Sequence, residues 1–403
     1  MALHLQGLEA QQQQPLVKGL SWKYYESSCP KLESIIRKQM EKVIKKDVGL
    51  AAALLRLHFH DCFVQGCDGS VLLDGSASGP VDSEKTAPPN LSLRGFDVIE
   101  DLRRRVHKQC GAGSVSCSDI TAIVARDAIV LGCDGSVLLD GSASGPVDSE
   151  KTAPPNLSLR GFDVIEDLRR RVHKQCGAGS VSCSDITAIV ARDAIVLTGG
   201  PDYSVPLGRR DGLSFATRNA TLANLPSPFV GTDSLLTSLA AKNFDATDAV
   251  ALSGAHTIGV AHCPSFTRRL YPTQDATMDK TLANTLKGVC PTQNTNATTF
   301  LDLRSPNVFD NKYFVDLMNK QGILTSDQDL YTDKRTREIV KSFAVNQTLF
   351  FEKFVNIMVK MGQMQVLTGT KGEIRNTCNK RNSNELVISN IVEDHNTDGV
   401  ENL

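Results

Sequence analysis

Residues 48–74 read VGLAAALLRLHFHDCFVQGCDGSVLLD. The opening positions are mostly apolar, which predicts a buried helix over 48–60. On such a helix Arg56 and His60 stand four apart and share a face, with Phe59 beside them. An arginine and a histidine on a buried helix need partners or a cavity, because unpaired polar groups are costly away from water. Taken alone, the residues leave two readings open: core polar groups satisfied by hydrogen bonds, or groups aimed into a reaction pocket. His58 faces elsewhere, so the HFH triplet is a poor metal clamp on a helix.

The loop that follows collects Asp61, Asp68, Ser70 and backbone carbonyls around glycines. Hard oxygen donors in a short loop suit Ca²⁺. Cys62 and Cys67 are near enough to close the loop as a small disulfide ring. A solvated acidic turn is the rival reading, and the cysteine clip favours the ion. Far downstream, ALSGAHTIGVAHC (251–263) sets His256 after Ser-Gly-Ala. Small residues before a histidine would let something large, such as a haem, approach; a satisfied core histidine is the alternative. LDLRSPNVFD (301–310) supplies a second oxygen-rich loop with Asp302, Ser305 and Asp310.

Residues 66–131 recur without a single change as residues 132–197. Solenoid repeats drift and recur several times, so an identical pair reads as a tandem duplication of one segment, or an error in the gene sequence. The cysteines agree. The chain has 11, an odd number, and one copy carries three; without it the count is eight. The duplication thus accounts for the odd thiol, in place of a free redox-active cysteine.

The chain has 403 residues, 22% of them charged, with a formal net charge of -1. That balance gives no electrostatic case for nucleic acid or an anionic membrane, and no run of 18 apolar residues predicts a membrane span. The cysteine count points to the secretory route. Residues 1–20, an atypical N-terminal segment, hold no continuous apolar stretch of the kind a signal peptide needs. Sequons at Asn90, Asn156, Asn219, Asn296 and Asn346 fit export weakly. Helical periodicity predicts helices over 31–46, 48–60, 94–109, 118–131, 233–242, 247–257, 311–321, 335–344 and 351–361, with little β structure. Residues 381–403 are polar and read as a loose extension.

The motifs RLHFHDCFVQGCDGS, SEKTAPPN, RGFDVIE, VSCSDI, VPLGRRDG, LSGAHTIG, FDNKYF, SDQDL and GEIRNTC occur in that order. Together they resemble the secreted (class III) plant haem peroxidases, over roughly residues 21–380 with one repeat copy in excess. The resemblance implies a mainly α fold, two helical lobes sandwiching a haem b, with two Ca²⁺ ions. It implies reduction of hydrogen peroxide to water at the expense of small phenolic donors, each giving one electron.

By the same resemblance, His60 is the general base for peroxide, Arg56 stabilises charge on the breaking O–O bond, and Phe59 walls the pocket. Asn90 or Asn156 would orient His60. His256 would bind the iron, with Asp327 accepting its other N–H. The distal calcium set is Asp61, Val64, Gly66, Asp68 and Ser70, with Glu84 or Glu150 acting through water. The proximal set is Thr257, Asp302, Ser305 and Asp310. Pro206 matches a substrate contact. The implied disulfides join Cys29 to Cys110 or Cys176, Cys62 to Cys67, Cys117 or Cys183 to Cys378, and Cys263 to Cys290. A secreted or vacuolar monomeric glycoprotein is expected. The competing expectation is a catalytically impaired or misfolded product, because 66 residues are in excess.

Overall fold

The computed structural model describes residues 15–64, 66–70, 101, 102, 105, 106, 111, 112, 176, 177, 182–213, 222–376 and 382. Helix α1 (Leu32–Lys46) buries Leu32, Ile35, Ile36, Met40 and Ile44 along one face. Helix α2 (Gly49–Val64) is apolar nearly all round and is buried accordingly. It packs against α3 (Ser184–Thr198), which ends where Gly199 takes φ 103°, and α1 also lies on α3. Arg37 on α1 donates to Asp193 on α3 at 3.2 Å and ties the two helices together.

The two repeat copies divide this packing between them. Asp68 and Ser70, then Leu102 and Val106, are buried residues of the first copy. Helix α3 belongs to the second. Strands β1 (Gly111–Ala112) and β2 (Cys176–Gly177) pair in parallel, Gly111 with Cys176 and Ala112 with Gly177. Cys176 repeats Cys110 and Gly177 repeats Gly111, so equivalent segments lie side by side, one residue out of register. Positions 65 residues apart, nearly one repeat length, are therefore neighbours in the fold.

Among the described residues further helices are α4 (Thr232–Ala240), α5 (Ala246–Ser253), α6 (Lys280–Val289), α7 (Lys312–Met318), α8 (Thr325–Thr332), α9 (Arg337–Val345) and α10 (Gln347–Met361). Helix α5 packs on α10 and α7 on α9, around Phe309, Phe314, Phe343, Phe350 and Phe354. Strands β3 (Val260–His262) and β4 (Thr298–Phe300) form a small antiparallel sheet. A second apolar cluster packs α6 around the Cys263–Cys290 disulfide.

Several sequence expectations shift. The helix expected over 247–257 stops at Ser253, and Gly254–Thr257 form a 3₁₀ turn. The helix expected at 351 starts at Gln347, because Asn346 caps it by accepting from Leu349 N–H at 3.0 Å. The helix expected to reach 321 ends at Met318, ahead of Lys320 with φ 61°. Helices α6 and α8 were not foreseen, and α8 is too polar to show a stripe. The 118–131 expectation lies outside the described residues, and that for 94–109 is described only at Asp101, Leu102, Arg105 and Val106, all helical. The docked chain begins before residue 21: Thr368 donates to the Lys18 carbonyl at 2.9 Å and Leu20 is buried.

Candidate active site

Ala52, Arg56 and His60 follow at intervals of four along α2 and so line one face. Arg56 Nε donates to His60 Nε2 at 3.2 Å. That contact makes Nε2 an acceptor and keeps its lone pair on the Arg56 side. Burial pulls the Arg56 guanidinium down to about 10, which leaves it a cation at neutral pH. Phe59 packs edge-on to His60, with centroids 5.6 Å apart, and leans on Phe63 at 4.3 Å.

His256 stands on the 3₁₀ turn after α5. Its Nδ1 lies 2.7 Å from Asp327 Oδ1, and Asp327 is buried at the start of α8. Tyr313, on α7, donates to the same oxygen at 3.0 Å. Burial, then the Asp327 charge, pushes the Tyr313 phenol well above its usual value, so it stays a donor. With Nδ1 committed, His256 offers Nε2; its side chain is 37% exposed although its carboxylate partner is buried. A histidine with one nitrogen held by a carboxylate and the other open suits an iron ligand. The turn and α2 meet: a Cβ on Gly259, three residues past His256, would stand 2.9 Å from the Ala52 methyl. The chain just past the His256 turn therefore packs on the α2 face that carries Arg56 and His60, two turns before His60.

The small residues before His256 also answer to the core. A Cβ on Gly254 would lie 2.5 Å from the Phe350 ring and 2.8 Å from the Phe314 ring. Core aromatics on their own are enough to require glycine there. Ser253 likewise turns inward along its helix and donates to the Ala249 carbonyl at 2.9 Å.

The second oxygen-rich loop folds onto the same turn. The Thr257 hydroxyl has three oxygens around it: Asp302 Oδ2 at 2.9 Å, and Val308 O and Asp310 Oδ1 at 3.5 Å. One proton cannot serve three acceptors, and the Ser305 hydroxyl oxygen nearby is buried without a partner. Crowded oxygen acceptors with an orphaned hydroxyl fit a hard cation. Among the described residues no three His, Cys, Asp or Glu side chains gather into a metal cluster; these sets instead mix carboxylates with hydroxyl and carbonyl oxygens.

In the first loop Asp61, Asp68 and Ser70 are buried. Gly69 N–H donates to Asp61 at 3.3 Å, and Ser70 N–H to Asp68 at 2.9 Å. Val64 ends α2, and Gly66 takes φ 103° against Gln365. The Cys62–Cys67 disulfide clips the loop. Outside it, Gly212 N–H donates to the Asp68 carbonyl at 2.5 Å, and Arg375 donates to the carbonyls of Gly69 and, at 2.6 Å, Gly212. Ser184, from the second copy, donates to the Cys67 carbonyl at 3.0 Å.

Pro206 is buried, and its carbonyl accepts from Arg209 at 2.7 Å. Cys29 and Cys183 are disulfide-bonded, with partners outside the described residues. Glu84, Asn90, Cys110, Cys117, Glu150, Asn156 and Cys378 also lie outside them, and Cys176 is described through its backbone pairing. Tyr313 and Arg375 went unremarked in the sequence reading; each sits inside a motif already quoted, FDNKYF and GEIRNTC.

No described helix is long and apolar enough to cross a membrane. The chain matches the family described as peroxidase over residues 36–131 and 127–346, two stretches that meet at the repeat boundary. It is 51% identical to Peroxidase 12 of Arabidopsis thaliana, over 93% of this chain and 86% of that protein. It is 46% identical to Cationic peroxidase SPC4 of Sorghum bicolor, over 92% and 84%. Peroxidase 49 of Arabidopsis thaliana is 37% identical, over 89% and 90%. These matches join the Arg56–His60 pair and the carboxylate-held histidine in one conclusion: the chain belongs to the peroxidase family and is a plant haem peroxidase, an enzyme acting on hydrogen peroxide.

Proposed function

We propose that His60 is the general base of this peroxidase, with Arg56 as its electrostatic partner. Their juxtaposition, with Arg56 Nε 3.2 Å from an unprotonated His60 Nε2, carries the reading, and peroxide entering between them would take over the lone pair that Arg56 now holds. His60 Nε2 would take a proton from one oxygen of hydrogen peroxide and deliver it to the other, which leaves as water. Arg56 stabilises the negative charge that grows on the departing oxygen. Phe59 walls the pocket and keeps bulky donors from the reacting atoms.

His256 Nε2 binds the iron of haem b, and Asp327 holds the ring through Nδ1. When bound, the haem supplies the redox centre that accepts oxidising equivalents from peroxide and returns them to donors. The donors are small phenols that approach near Pro206. Thr257, Asp302, Ser305 and Asp310 hold one Ca²⁺. Asp61, Val64, Gly66, Asp68 and Ser70 hold another, with Glu84 acting through water. Asn90 orients His60. Glu84 and Asn90 are preferred to Glu150 and Asn156 because they lie between Ser70 and Asp101, both buried residues of the first copy. Cys29 pairs with Cys110 or Cys176, and Cys183 with Cys378. The enzyme acts as a monomer outside the reducing cytosol, in the cell wall or vacuole, and its cysteine usage supports that address.

The test is His60→Leu in full-length chain reconstituted with haem and calcium. The haem absorption should persist while the reaction with peroxide slows about 10²–10⁴-fold. His256→Ala should lose haem retention. Unchanged peroxide kinetics in His60→Leu would remove His60 from the role.

A further inference from the structure

One oxygen of Asp327 serves two donors. His256 Nδ1 stands 2.7 Å from Oδ1, and the Tyr313 hydroxyl donates to it at 3.0 Å. The other oxygen accepts the Leu324 backbone N–H at 3.3 Å. Tyr313 is 1% exposed, and among the described residues its hydroxyl bonds only Asp327. Its ring meets the His256 ring edge-on, with centroids 6.1 Å apart and planes at 82°.

We infer that Tyr313 is a positioning residue for the iron ligand, whose hydroxyl competes with His256 for Asp327 Oδ1 and limits how strongly the carboxylate draws the imidazole N–H. The physical ground is lone-pair sharing. A carboxylate oxygen that accepts a second hydrogen bond is less basic toward the first donor. A weaker pull on Nδ1–H leaves less anionic character on the ring and so less electron density at Nε2. The same bond holds the carboxylate in place, because Tyr313 and Asp327 come from different helices, α7 and α8.

This inference rests on the reading that His256 binds the iron. The test compares wild type, Tyr313→Phe, Asp327→Asn and the double variant, each loaded with haem and calcium. Two readouts are taken: the iron–imidazole stretching band of the reduced protein and the ferric–ferrous potential. Tyr313→Phe removes only the hydroxyl. It should move the band to higher frequency and shift the reduction equilibrium about three- to tenfold toward ferric. In the Asp327→Asn background the same substitution should move neither, because the hydroxyl acts through the carboxylate. No shift in the single variant, or an equal shift in both backgrounds, would overturn the inference. A wild type lacking the iron–imidazole band would overturn the ligand reading instead. Circular dichroism of each variant checks folding, and a misfolded Tyr313→Phe would mean the hydroxyl is needed for the fold rather than for tuning, which also counts against it.

Discussion

Gly111 of the first repeat copy pairs in parallel with Cys176 of the second, next to its own duplicate Gly177. The two ends of an almost complete repeat unit therefore meet. Deleting residues 112–177 removes 66 residues and joins Gly111 to Ala178, restoring one uninterrupted copy. The shortened chain should bind haem with the same spectrum and turn over peroxide at the same rate. Closing a loop of that length costs about 3–4 kcal/mol in chain entropy, so the deletion should raise the denaturant midpoint. Loss of haem binding would show that the excess segment is part of the working fold.

Asp327→Asn should keep the ring of His256 in place but weaken its hold on Nδ1–H. The expectation is a 10–100-fold slower reaction with peroxide. Stopped-flow kinetics of the haem spectrum measures it, and a rate equal to wild type would mean the carboxylate does not tune the ligand.

Calcium should be lost separately from the two loops. Thr257→Val removes the hydroxyl that sits among Asp302, Val308 and Asp310 oxygens, while Arg375→Met frees the carbonyls of Gly69 and Gly212. Each should lower the bound calcium, counted by atomic absorption after gel filtration, from two ions to one. Chelator should then lower the thermal midpoint of wild type more than of either variant. At calcium a hundredfold above Kd, the stabilisation at stake is about 2.7 kcal/mol per site. Two ions retained in both variants would be the contrary result.

His58 should make the protein acid-sensitive. It is fully buried, and among the described residues neither ring nitrogen has a hydrogen-bond partner. Burial, then the charge of Arg209, holds it well below 6.5; Arg209 in turn donates to Asp185 at 2.9 Å. The folded protein keeps His58 neutral while the unfolded chain protonates near 6.5. Its contribution is fully present above that pH and is lost as pH falls through the window below it. The slope is at most about 1.4 kcal/mol per pH unit. Denaturant midpoints measured from pH 7 downward should fall less steeply in His58→Phe, and an identical slope would assign the titration to another group.

The helix that carries Arg56 and His60 was readable because its apolar run and their four-residue spacing are properties of one short segment. His256 was readable too, but the reason for the glycine before it was not. Gly254 answers to Phe314 and Phe350, which are 60 and more residues away. Tyr313 reads as one more aromatic of a core stripe, and only the fold brings its hydroxyl to Asp327. Helix α8 escaped notice because TSDQDLYT carries too few apolar residues to show a period. The identical copies could not be told apart from within; their neighbours decide, Asp61 for the first and the 199–213 segment for the second.

The contact between Gly69 and Arg375 spans 306 positions. Synthesis runs at roughly 5–20 residues per second, so the 66–70 loop waits about 15–60 s for its clamp to be made. During that interval its carboxylates lack the backbone lock that later holds them. The geometry of the 66–70 loop is therefore completed only by a finished chain, and a ribosome stalled before Arg375 leaves that loop without its clamp.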